Sequence, residues 1–296
     1  MSATGALRAS VRLLGLTALT LVLLVPVLAV VLLAWALAPL SAAADRAALR
    51  ALLGLQTLWS RGVLAVLGVR LTVMGAATVA EAGGAALAAA AGGAPPRATL
   101  LVSNHLGYLD VPVIAALGPC RFVARSDVAG WPVFGFLARC VRVLFIDRRR
   151  PRDLLPVGES IAASLAAGVS VVVFPEATST RGDTVLPFHP GLLEPAARIG
   201  APCRALAVHY ETSEESRAPS GTICWWGDMT LPDHLWSLMT IPRIDARLTL
   251  SPRTVSGDNR KLLAAALHAD VASLFRPVRQ SAAPADWAPM EEVALP

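Results

Sequence analysis

Thr99-Leu100-Leu101-Val102-Ser103-Asn104-His105-Leu106-Gly107-Tyr108-Leu109-Asp110 is the stretch on which the reading of this chain turns. Its opening residues form a short apolar run, the pattern of a buried strand. The run stops abruptly at Asn104-His105, and open α/β sheets place their chemistry at the carboxyl ends of such strands. Asp110 follows five residues after His105. With Gly107 letting the chain turn and Asp110 opening a helix over 110–117, the carboxylate folds back to the imidazole. It then accepts Nδ1–H, fixes the tautomer and leaves Nε2 as a free base. A dyad of this kind can deprotonate an incoming alcohol, a contribution of roughly 10²–10⁴ in rate. The other reading is that the two residues only cap and pack a helix start, and spacing alone leaves both open.

Working outward, the same pattern recurs. Ser170-Val171-Val172-Val173-Phe174-Pro175-Glu176-Ala177-Thr178 is a second apolar run ending in a polar turn. Pro175 stops the ladder, and Glu176 and Thr178 sit where a substrate can be met. Between the two, Val143-Leu144-Phe145-Ile146-Asp147-Arg148-Arg149-Arg150 is a strand that ends in a basic cluster, extended by Arg152. Arginine binds phosphate bidentately. Arg148, nearest the strand end, is the phosphate candidate, and the others read as a solvated or lipid-facing run.

Further strands are expected over 121–124, 203–209, 222–226 and 246–250. Helices are expected over 153–167, with Gly168 as C-cap, and over 258–275, where Leu262, Leu263, Ala266, Leu267 and Val271 recur at helical spacing. Alternation of this kind gives an α/β fold with a mixed central sheet flanked by helices.

Apolar residues make up 55% and charged residues 16% of the 296. Soluble domains run nearer 45–50% and about 25%, so the excess needs an apolar environment. Arg8 and Arg12 precede a run over 13–44 with no charged residue, longer than the roughly 20 residues that cross a bilayer core. A cleaved signal peptide competes with an uncleaved anchor. The run exceeds the usual apolar core of about 7–15 residues in a signal peptide, so residues 1–45 read as a transmembrane anchor. Residues 46–82, with Arg50, Arg61 and Arg70 interrupting an apolar segment, read as an interfacial amphipathic helix and lead-in; a helix of the soluble core is the alternative. Residues 83–97 are an Ala/Gly/Pro-rich loop, 98–276 the catalytic domain and 277–296 a disordered tail.

The net charge of +5 suits anionic partners. Little aromatic interleaving of the basic residues argues against nucleic acid. Cys120, Cys140, Cys203 and Cys224 form no CxxC pair and read as buried free thiols rather than a zinc site. The chain has no Gly-x-Ser-x-Gly nucleophile elbow.

Four blocks together resemble the 1-acyl-sn-glycerol-3-phosphate acyltransferase family. Asn104-His105-x4-Asp110 is similar to the first, Phe145-Ile146-Asp147-Arg148 to the second and Phe174-Pro175-Glu176-Ala177-Thr178 to the third. Val185-Leu186-Pro187-Phe188-His189-Pro190-Gly191 is similar to the fourth. The resemblance implies that His105 is the general base, Asp110 its partner, Arg148 a ligand of the acceptor's phosphate and Glu176 an acceptor contact. Asn104, Phe174, Pro175, Thr178 and His189 complete the implied substrate site. The donor is a fatty-acyl thioester, acyl-CoA or acyl-ACP, and neither a metal nor a redox cofactor is implied. The acceptor is a lysolipid: 1-acyl-sn-glycerol-3-phosphate, giving phosphatidic acid, or alternatively lyso-ornithine lipid or another lysophospholipid. A thioesterase or lipase and a non-catalytic membrane scaffold are the rival readings. Acyl thioesters are cytosolic, which places the catalytic domain on the cytoplasmic face of the inner membrane.

Two positions depart from the third block. The family usually has Gly at the position of Ala177, which Ala tolerates if the backbone there does not need φ > 0. It often has Arg at the position of Ser179; Arg181, two residues on, is the substitute. Trp225, Trp226 and Trp236 face lipid or core, and His209, His234 and His268 read as structural or surface residues.

Overall fold

The computed structural model describes residues 2–37, 41–75, 98–147 and 151–281. Helices α1 (Ala3–Leu37) and α2 (Ala42–Leu67) come first. Ser41 caps α2 by accepting from the Ala43 and Ala44 amides, and Gly68 ends it in a left-handed conformation at φ 69°. Strand β1 (Val69–Met74) follows at once. Then come β2 (Leu100–Ser103), α3 (Asp110–Ala115), β3 (Cys120–Arg125), α4 (Pro132–Cys140), β4 (Leu144–Ile146), α5 (Pro151–Ala166) and β5 (Ser170–Val173). The chain closes with α6 (Glu194–Arg198), β6 (Cys203–Thr212), α7 (Pro219–Thr222), α8 (Leu231–Met239), β7 (Ile244–Leu250) and α9 (Arg260–Leu274).

The strands form one seven-stranded mixed sheet in the order β1-β7-β6-β2-β5-β3-β4. All neighbours are parallel except β6 and β7. β2 and β5 lie adjacent near the centre and are buried on both faces, which is why they read as unbroken apolar runs. Their alternate side chains feed two cores. Leu101 and Val172 join residues of α2, α3 and α8 on one face. Leu100, Val102, Val171 and Val173 join residues of α5, α6 and α9 on the other. The mixed α/β fold with helices on both faces is the one expected.

Several expectations are corrected. Residues 222–226 are not a strand: the Ile223 and Cys224 amides both donate to the Pro219 carbonyl, winding the chain into a turn before it can pair. An unexpected strand, β1, occupies an edge of the sheet within the 46–82 segment. α2 packs one face, with Leu52, Leu53, Leu64 and Leu67, into the protein and leaves the other exposed. Arg61 donates to the Ala116 carbonyl, Gln56 to that of Cys120 and Arg50 to that of Ala167, while Asp45 pairs with Arg142. Arg50 and Arg61 thus meet carbonyls at the ends of protein elements.

The same holds for the arginines of α1. Arg12 is buried and donates to the Met239, Ile241 and Pro242 carbonyls; Arg8 donates to that of Thr240. They satisfy the orphan carbonyls at the end of α8. α1 runs antiparallel to α2, with Gly15 against Val66, Leu19 against Gly62 and Thr20 accepting from the Trp59 indole. Much of α1 stays exposed, including Leu14, Val25, Leu32 and Trp35, while Val27 and Ala34 are buried. Among the described residues it is the one helix long and apolar enough to cross a membrane.

The loop expected over 83–97 lies outside the described residues, as does 282–296 of the expected tail. Residues 277–281 are packed: Val278 is buried, its amide donating to the Gly182 carbonyl, and the Ser281 amide donates to Ser220 Oγ.

Candidate active site

The site begins where β2 leaves the sheet. Asn104 is buried, and its side-chain amide bonds β6 through both heteroatoms: Oδ1 accepts from the Val208 amide at 2.8 Å and Nδ2 donates to the Val208 carbonyl at 3.1 Å. It extends the β2–β6 ladder by one rung after the backbone has turned away. Asn104 thus serves as a clamp between β2 and β6.

Gly107 makes the turn. A Cβ there would lie 3.0 Å from the Trp225 amide nitrogen, which donates to the Leu106 carbonyl. Only a residue without a side chain admits that close approach. Asp110 then opens α3, fully buried, and its carboxylate collects four donors. Oδ2 accepts from His105 Nδ1 at 2.7 Å, from the Leu106 amide at 2.7 Å and from the Gly107 amide at 3.1 Å. Oδ1 accepts from the Tyr210 hydroxyl at 2.8 Å. With Nδ1–H directed at a carboxylate, the lone pair of the imidazole sits on Nε2.

His105 is held from every other side. Its backbone N–H donates to Glu176 Oε1 at 2.8 Å, and its carbonyl accepts from the Thr180 amide at 2.9 Å. The Phe174 ring stacks on the imidazole with centroids 4.1 Å apart. The side chain keeps 23% exposure, enough for a reacting atom to reach Nε2.

The turn after β5 supplies that support. Glu176 is buried, and its second oxygen accepts from the Leu186 amide at 2.8 Å. Burial pushes its carboxyl up to about 8; the two backbone donors hold it down, and the nearby Asp110 charge pushes it further up. Both oxygens face the protein's own backbone, so Glu176 joins the first, third and fourth blocks to one another. Pro175 accepts from the His189 amide through its carbonyl, and His189 itself is exposed at the start of a 3-10 turn. Thr178 is partly exposed. Ala177 has φ 67°. The backbone there does need φ > 0, so the condition for tolerating alanine fails and the turn carries strain.

Arg148 lies outside the described residues. Arg181 is engaged elsewhere: it donates to Gln280 at 2.7 Å, lies over the Trp226 ring and comes within 3.6 Å of Asp183. Trp225 and Trp226 are partly buried with indole N–H groups bonded to the Met229 and Ser220 carbonyls. Trp225 also lines an apolar recess of about 420 Å³ with Trp131, Pro132, Val133, Phe134 and Leu231. The recess adjoins the first turn, where Tyr108 meets Trp225. Tyr108 bonds His234 Nδ1 at 2.8 Å, and burial lowers that imidazole to about 4.

Sequence reading missed Tyr210 and Thr180. Tyr210 is 100 residues from its partner Asp110. The one available cue was rarity: the chain has two tyrosines, and both stand around this turn.

Fold and site together define an α/β protein with a His–Asp dyad, its aspartate buried and its histidine partly exposed, in which Nε2 has no partner among the described residues. The family model described as Acyltransferase matches residues 93–209. A lyso-ornithine lipid O-acyltransferase of Brucella abortus is 32% identical over 191 residues, 60% of this chain and 71% of that protein. A 1-acyl-sn-glycerol-3-phosphate acyltransferase of Neisseria meningitidis is 32% identical over 155 residues, 52% of this chain. The match spans 59% of the length of that relative. The crystal structure of the 1-acyl-sn-glycerophosphate acyltransferase from Thermotoga maritima shares the fold, with a TM-score of 0.53 at 18% identity, covering 78% of this chain and 82% of that one. The chain belongs to the acyltransferase family of these glycerolipid and ornithine-lipid enzymes.

Proposed function

We propose that the chain is an O-acyltransferase that moves a fatty acyl group from a thioester, acyl-CoA or acyl-ACP, to the free hydroxyl of a lysolipid. The observation that carries this is the clamping of His105 at its amide, carbonyl, ring face and Nδ1, which leaves Nε2 alone for chemistry. Nε2 takes the hydroxyl proton as the acceptor oxygen attacks the thioester carbonyl, and Asp110 stabilises the imidazolium that forms. When the tetrahedral adduct collapses, the C–S bond breaks and the imidazolium returns its proton to the departing sulfur. The apolar recess beside the turn has the chemistry to take a fatty chain.

The acceptor in the first reading is 1-acyl-sn-glycerol-3-phosphate, with Arg148 as phosphate ligand. Lyso-ornithine lipid is the second reading. Ser179 standing where the family often has arginine favours it, as does the engagement of Arg181 with Gln280 and Asp183. An acceptor panel offered with both donors decides. A strict demand for the phosphate, with its KM raised by Arg148→Gln, supports the first. Preference for lyso-ornithine lipid supports the second. Donor consumption indifferent to any acceptor returns the thioesterase reading.

The apolar surface of α1, with Val133, Phe134 and Phe136 exposed on α4, suits a bilayer contact. Because α1 is tied to α8 by Arg8 and Arg12, it holds the catalytic domain at the membrane surface. We place that domain on the cytoplasmic face of the inner membrane, where acyl thioesters are found. Protease digestion of the domain in intact cells would contradict this.

A further inference from the structure

We propose that Tyr210 is a third member of the proton-transfer assembly, a positioning residue that fixes the Asp110 carboxylate and thereby the orientation and basicity of His105. The inference rests on the acyl-transfer reading for its kinetic consequences, but its geometric basis is independent of it. Tyr210 is fully buried and donates to Asp110 Oδ1 at 2.8 Å. It is the one donor to that oxygen among the described residues, because His105, Leu106 and Gly107 all converge on Oδ2.

The fold holds the phenol in place from two directions. The Asn104 amide bonds both backbone groups of Val208, two residues before Tyr210 on the same strand face. On the far side, β6 pairs with β7, Tyr210 opposite Ala246. The register of β6 against both neighbours therefore sets where the hydroxyl falls. Burial and the charge of Asp110 keep the phenol protonated, so it serves only as a donor.

The consequence is chemical. A carboxylate with one oxygen satisfied by a neutral hydroxyl carries less charge toward the imidazole than one left bare. Removing the hydroxyl leaves a fully buried oxygen unpaired, strengthens the pull of Asp110 on the imidazolium and frees the carboxylate to rotate. The titratable groups around this carboxylate are His105, Tyr210, Glu176 below the histidine and the buried thiol of Cys224, which burial pushes up. None of these besides Tyr210 contacts Oδ1.

The test is Tyr210→Phe in the full chain, read three ways. First, kcat/KM on the pH plateau falls about ten- to a hundred-fold, the range of one charge-assisted hydrogen bond, with little change in lysolipid KM. Second, the acid limb of the kcat/KM profile moves to higher pH. Third, the His105 resonances of ¹⁵N-histidine-labelled protein, identified by their loss in His105→Ala, change over at a correspondingly higher pH. A purely structural tyrosine would lower the melting temperature and leave the limb and the resonances in place; that result overturns the proposal. If Tyr210→Phe does not fold, 3-fluorotyrosine incorporated in a Tyr108→Phe background replaces it. The more acidic phenol is a stronger donor, so limb and resonances then move to lower pH, and no movement overturns the proposal. Wild-type protein that transfers no acyl group sinks the functional reading, while the NMR experiment still decides the role of Tyr210.

Discussion

The turns after β2 and β5 look alike in sequence and do different work. Each follows a four-residue strand buried on both faces, and each brings polar residues to the carboxyl edge of that strand, at once in Asn104-His105 and after Phe174-Pro175 in Glu176. In the first, the imidazole of His105 points outward with Nε2 open. In the second, the carboxylate of Glu176 points back and spends both oxygens on the amides of His105 and Leu186. One turn carries the reactive group and the other holds it still. A polar residue at a strand end is thus evidence of a site, but its role depends on which way its valences face.

The hardest blow to this contrast is His105→Ala. It should reduce acyl transfer by roughly 10²–10⁴, with the circular dichroism spectrum and melting transition retained. Full activity in the variant would return both turns to a structural role. Glu176→Gln probes the other side. One amide oxygen can serve a single backbone N–H, and the NH₂ then confronts the second donor. A local cost of about 1–3 kcal/mol and a kcat loss on the order of 10²-fold from a displaced His105 are expected, with lysolipid KM nearly unchanged. A raised KM at constant kcat would show instead that Glu176 holds the acceptor.

A smaller effect lies on the outer flank of the first turn. His234, bonded to Tyr108, is lowered by burial to about 4, against about 6.5 when unfolded. Between these values the unfolded chain takes up a proton that the folded one refuses. Stability is therefore full above about 6.5 and falls as pH drops toward 4. Thermal melts across this window should show the fall, and His234→Gln should flatten it; parallel curves for the two proteins would refute the assignment. The smallest effect sharpens the second turn. Ala177 bears φ 67°, a conformation that costs an L-residue roughly 1–2 kcal/mol. Gly gives back part of this gain through its freer unfolded chain, so Ala177→Gly should stabilise by about 0.5–1 kcal/mol. A lower melting temperature would mean that the alanine methyl is packed, not strained.

Much of this was legible in the sequence because the signals are local. β2, β4 and β5 announced themselves as apolar runs, and β3, β7, α5 and α9 fell within a few residues of expectation. His105 and Asp110 stand close enough in the chain that one glycine turn joins them. What misled was polar character read without direction. Asn104 and Glu176 looked like substrate contacts, yet each binds backbone from a distant segment. Arg50 and Arg61 looked like residues of a lipid interface, yet each donates to a carbonyl at the end of a protein element.

By itself, the sequence determined the α/β class, the four blocks with their His–Asp pair, and a long apolar helix at the amino end. These depend on hydrophobic periodicity and short spacings, which act between near neighbours. The tertiary structure alone decided that Tyr210 reaches Asp110, that Glu176 supports His105 from below and that α2 packs one face into the protein. Those contacts join residues tens to a hundred positions apart, and strand order and register, not spacing along the chain, bring their hydrogen-bonding groups within 3.1 Å of one another.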